Sequence, residues 1–187
     1  IPFEDARAAV LRIIAHTGVW PDAIKAVASW LYFDAQKNKP DQVSRVRALF
    51  DELMPDDPVD RVVVYTYGWP ADLHDPDSRY DRSPGAKHDF EYSTREAAKL
   101  APAIAKDSKM LDRTLDALCV NDGKNVFGFA RELARSLHDP VAAFKRAVEY
   151  LNDKPTPANR QLFGGLIAGT DDRNSEAARE CGRLALQ

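Results

Sequence analysis

Cysteine is nearly absent: only Cys119 and Cys181 occur, and neither belongs to a C-x-x-C spacing. That excludes a disulfide framework or a cysteine-built zinc site as the organising principle. Two thiols at apolar positions of predicted helices read as small core residues of a cytoplasmic chain. Long apolar runs are missing as well; none approaches the roughly 20 residues that a membrane-spanning helix needs, and no membrane contact is expected. Dense basic runs do not occur. Lys and Arg total 26 against 29 acids, a net charge of −3, which argues against a phosphate-backbone partner. Neither G-x-x-x-x-G-K-[ST] nor G-x-S-x-G is present, so neither a P-loop nor a nucleophile elbow is expected.

Helix punctuation is what the chain has in abundance. Pro2, Pro21, Asp41, Asp57-Pro58, Ser93, Ser108, Asp139-Pro140, Thr156-Pro157 and Ser175 each open an amphipathic segment. Capping side chains satisfy the first orphan amides, and proline is tolerated in the first turn because its missing N–H has no helical partner there. Ser93 with Glu96 makes a capping box, and Gly18 suits a left-handed helix end.

Apolar stripes at helical spacing follow these starts. They comprise Phe3, Ala6, Val10, Ile13 and Ile14; Trp20, Ile24, Val27 and Leu31; Val43, Val46, Phe50 and Leu53; and Ala97, Leu100, Ala101 and Ile104. They continue with Leu111, Thr114, Leu115 and Leu118; Val126, Phe129, Ala130, Leu133 and Leu137; Val141, Phe144, Val148 and Leu151; and Ala177, Cys181 and Leu184. Val62–Tyr67 has strand-like composition. Yet Asp57-Pro58 signals a helix start, Val59, Val62, Val63 and Thr66 keep helical spacing, and no second strand exists to pair with it. A helix is expected there. Pro102 should kink its helix. Gly164, Gly165 and Gly169 fall inside one predicted helix, where each costs about 1 kcal/mol; close approach to a neighbouring helix is the expected return.

Segment pairs start near residues 3, 41, 93, 125 and 157, spacings of 38, 52, 32 and 32. This is near the period of helical repeats. The expected fold is all-α, an α-solenoid of about five antiparallel helix pairs in one domain over 1–187. A long loop at 69–92 interrupts it. The chain opens at Ile1-Pro2 and stops within an apolar pattern at Leu184–Gln187, as expected of a piece of a longer polypeptide.

The 69–92 loop gathers Asp72, Asp75, Asp77, Asp81, Asp89 and Glu91 against Arg79, Arg82 and Lys87. Loops of this length are functional or disordered. Aromatic residues flank it, and aromatics rimmed by charge compose interface hot spots. The candidate partner-binding residues are Trp69, Asp72, His74, Asp75, Asp77, Tyr80, His88 and Tyr92. A competing reading makes Asp75, Asp77 and His88 ligands of a hydrolytic metal; an EF-hand is excluded because Tyr80 and Ala86 stand where Gly and Glu are needed. His16 and His138 suit helix C-termini. Arg131, Arg135, Lys145 and Arg146 read as a solvated basic strip. No cofactor is expected.

The hairpin spacing resembles α-helical repeats of the HEAT/armadillo kind. Gly68-Trp69-Pro70-Ala71-Asp72, Phe127–Leu133 and Asn159–Leu166 are similar to helical tails of large bacterial multidomain NTPases of the STAND type. The resemblance implies a non-catalytic scaffold or regulatory module that binds a protein partner or other domains of its parent chain. A HEAT-like DNA-binding module is the third reading, disfavoured by the charge.

Overall fold

Asp57 shows how these helices begin. Its carboxylate accepts from the backbone amides of Val59 (2.9 Å) and Asp60 (3.2 Å), and Pro58 follows as the first helical residue. Asp107, Asp139, Asn159 and Asn174 cap other helices in the same way. The computed structural model describes residues 3–81, 83, 86–154 and 157–186. The start signals at Pro2 and Thr156 lie outside them.

Among the described residues the chain is all-α, with ten α-helices and no strand. They are α1 (Phe3–Thr17), α2 (Pro21–Phe33), α3 (Pro40–Leu53), α4 (Pro58–Thr66), α5 (Tyr92–Lys106), α6 (Ser108–Leu118), α7 (Val126–Ser136), α8 (Pro140–Asn152), α9 (Arg160–Asp171) and α10 (Ser175–Leu184). None is long and apolar enough to cross a membrane. Gly18, at φ 76°, ends α1 and donates to Ile14 O.

Packing follows a skip-one order in the second half. α4 meets α5, α5 meets α7, and α7 meets α9; α6 meets α8, and α8 meets α10. Phe129, Phe144, Leu115, Leu133, Leu162 and Leu166 are fully buried in the shared core. The α7–α9 interface is the most extensive, and glycine makes it possible. A Cβ on Gly165 would sit 2.5 Å from Phe127 O, and one on Gly169 would sit 2.1 Å from Arg131 O. Ala130 and Ala134 face these glycines. The two backbones touch.

Two buried asparagines pin the succession. Asn125, just before α7, donates from its backbone to Thr66 O (3.2 Å), and its Nδ2 donates to Tyr65 O (3.1 Å) and Ser93 Oγ (3.0 Å). Asn159, just before α9, donates from its backbone to Cys119 O (2.8 Å), and its Nδ2 donates to Asn121 O (2.9 Å). Each ties the start of one helix to the end of an earlier one.

α4 resolves the strand-like stretch. Val59, Val62, Val64, Tyr65 and Thr66 are all buried, and a helix covered nearly all round has no polar face to betray it. Several expectations need correction. Ser93 does not cap α5; it lies inside the helix, buried, and its hydroxyl donates to Pro70 O (3.0 Å). Asp107, not Ser108, caps α6, and α9 starts at Arg160, not at Pro157. Pro102 lies inside α5, as the sequence indicated, with its side chain exposed. In α1, Ile13 points outward at 42% exposure while Leu11 packs on the core.

Candidate partner-binding surface

Between α4 and α5 the chain does not project; it lies as a strap across α2, α3 and α5. Gly68 turns it first. Its φ of 71° lies in the left-handed region that only glycine enters freely. Asp72 then accepts the backbone N–H of Trp69 (2.8 Å), closing a short 3-10 turn at Pro70–Asp72. Trp69 is thereby held in place with its side chain outward, at 62% exposure. It borders a hollow of about 270 Å³ lined also by Lys25, Tyr67, Asp122 and Lys124.

Three ion pairs fasten the strap to three helices. Asp72 meets Lys25 of α2 (3.5 Å), Asp77 meets Arg47 of α3 (2.5 Å), and Asp89 meets Arg95 of α5 (2.5 Å). Hydrogen bonding from Arg95 holds the Asp89 carboxyl below the usual carboxylate range. Half of the loop's acids are thus neutralised by the body of the molecule. Asp75 is engaged locally, accepting from the amides of Asp77 and, through its carbonyl, Ser78.

Rings do the rest. Leu73 is 2% exposed and enters the core. His74 stacks on Tyr32 at 4.4 Å with planes 8° apart, and Phe33 meets its edge at 4.9 Å. Burial lowers the His74 pKa, with Asp72 pulling it the other way. His88 Nδ1 lies 2.9 Å from the Tyr32 hydroxyl and its ring stacks on Tyr80 at 4.7 Å. Tyr80 donates its backbone N–H to Tyr32 O (2.9 Å). Burial raises the pKa of Tyr32, helped by Tyr80 and Asp89.

Of the sequence-predicted residues, His74, Tyr80 and His88 meet in one ring cluster, and Asp72 and Asp77 sit in ion pairs. Tyr92 stands apart against Tyr65, with ring centroids 6.2 Å apart, its pKa raised by burial. Sequence reasoning missed Tyr32, Phe33, Gln36 and Arg47, which receive the strap. Among the described residues, no three His, Cys, Asp or Glu side chains converge as a metal site. The candidate basic strip is largely engaged: Arg131 and Arg135 both bind Asp172, and Arg146 binds Asp112.

No family model, no curated protein and no solved structure matches this chain.

Proposed function

We propose that the chain is a helical-repeat interaction module, an α-solenoid of HEAT-like helix pairs that captures a protein partner or another domain of a longer polypeptide. It has no catalysis of its own in this reading, and its buried free thiols suit a cytoplasmic setting.

One observation carries the proposal: α5, α7 and α9 pack in succession, as do α6, α8 and α10. A helix pair that cannot bury its apolar face alone must stack on its neighbours, and such stacks present extended surfaces. The similar pins at Asn125 and Asn159 support the same unit recurring. Trp69 supplies the anchor. A tryptophan whose backbone is fixed by a glycine turn and a carboxylate cap has less backbone freedom to lose on binding, which favours a hot spot.

The test is comparative capture. Proteins cross-linked to the wild-type chain should include a partner that Trp69→Ala loses, with affinity falling about 30-fold for a hot-spot tryptophan. Circular dichroism and melting should stay unchanged, since the indole packs mainly against solvent. An identical captured set with both proteins refutes this use of Trp69.

A further inference from the structure

We infer that residues 73–81 occupy, from within the chain, a groove on α2 and α3 suited to a partner's acidic segment that makes a turn, as Asp75–Ser78 do here, and carries a tyrosine three positions after an aspartate. The strap itself displays the recognition chemistry. Arg47 grips Asp77 with two parallel bonds, Nη1 to Oδ1 at 2.5 Å and Nη2 to Oδ2 at 3.1 Å. Such bidentate, end-on pairing fixes the position and direction of a carboxylate.

Three residues on, the backbone of Tyr80 is read from both sides. Its N–H donates to Tyr32 O at 2.9 Å, and its carbonyl accepts from Gln36 Nε2 at 2.8 Å. Tyr32 lies in the last turn of α2, where carbonyls lack helical partners and remain available. The Tyr80 ring rests on Phe33 at 5.1 Å. One charge, one ring and two backbone bonds define the occupant.

The fit is incomplete. A hollow of about 440 Å³ lies on the Val43 and Arg47 side of the strap, and one of about 730 Å³ lies on the Phe33, Gln36 and Lys37 side. The Asp77 side chain remains 75% exposed, and exposed ion pairs hold weakly. A segment seated this loosely is displaceable by a better-fitting one of the same chemistry. Tethering gives it an effective concentration of order mM, so it competes with weak ligands and yields to strong ones.

The inference rests on the proposal that this face captures a protein, but its test needs no natural partner. A fluorescein-labelled synthetic peptide of residues 73–81 is titrated by anisotropy against the wild-type chain and against an Asp77→Ala/Tyr80→Ala variant. The variant should bind at least tenfold tighter. Adding Arg47→Glu to it should remove the gain. Equal affinity for both proteins, or indifference to Arg47→Glu, overturns the inference.

Should the variant lose its helical signal, amide exchange on the unmodified chain decides. The Tyr80 amide should exchange at least 100-fold faster than that of Leu133 in the core, through local opening. Equal protection overturns the inference, because the strap would then open only with the whole fold. An identical captured set for the wild-type chain and Trp69→Ala, alongside the expected tighter peptide binding by the variant, would refute the function alone.

Discussion

Two halves of this molecule begin from the same helix signals and reach different degrees of consolidation. In α7, Val126, Phe129, Ala130 and Leu133 are all completely buried. α1, although longer, contributes no fully buried side chain among its described ones; Phe3, Val10, Leu11 and Ile14 only flank the core, and its main neighbour is α3. The second half is knit by backbone contact and buried amides. In the first half, much of the cross-linking falls to surface charge and to rings on the strap. Amphipathic periodicity makes a helix, but its neighbours decide how much that helix contributes.

Truncation should expose the contrast most strongly. Phe129→Ala should cost about 3–5 kcal/mol, as expected for a fully buried aromatic, whereas Ile14→Ala in α1 should cost about 1 kcal/mol or less. Urea unfolding of both variants measures the difference; equal costs would erase the distinction between the halves.

Glycine substitutions sharpen it further, because sign as well as size is at stake. Gly169→Ala gains helix propensity but drives a Cβ to 2.1 Å from Arg131 O, so a net loss of about 2 kcal/mol is expected. Gly182→Ala in α10 meets nothing within 4 Å and should gain about 0.5–1 kcal/mol. Opposite shifts in melting temperature check the pair.

Asn125→Ala removes the side-chain donor to Tyr65 O and Ser93 Oγ, although Ser93 keeps its own bond to Pro70 O, and should cost about 2 kcal/mol. A loss near zero would show that the pin is dispensable.

The smallest effect on global stability belongs to acid. The docked strap favours neutral His74, whose pKa is depressed from the ordinary 6.5. The released state binds more protons below pH 6.5. The contribution is therefore complete above that value and is lost as pH falls towards the docked one. Amide protection of the strap should drop between pH 7 and 5, and His74→Phe, which keeps a ring without the proton, should flatten the response. Unchanged acid sensitivity in that variant would point instead to a carboxylate pair of the strap such as Asp89–Arg95.

Most helix starts were legible because their causes are local. Asp57-Pro58 and Asp139-Pro140 act within three residues of themselves. Ser93 misled because a hydroxyl that fits a capping pattern also fits a distant carbonyl, and Pro70 O won it. Gly165 and Gly169 of α9 were readable as close approaches, since nothing else explains their cost in a helix; Gly164, read the same way, meets only the Phe127 ring at 3.7 Å. The strap's seat was not readable. Arg47 and Asp77 lie 30 positions apart, and no spacing rule joins a helix arginine to an acid in a distant loop. Tyr32 carries no signal of its own in the sequence; only the fold turns its carbonyl and its ring towards Tyr80 and His74.

Where α7 and α9 meet, the gap is set by atoms that neither helix can retract. Side chains change rotamer to accommodate bending, but bare peptide units against alanine methyls have no such slack. That joint acts as a fixed spacer, so any flexing that accompanies docking must occur nearer the N-terminal helices, where ion pairs stretch at little cost.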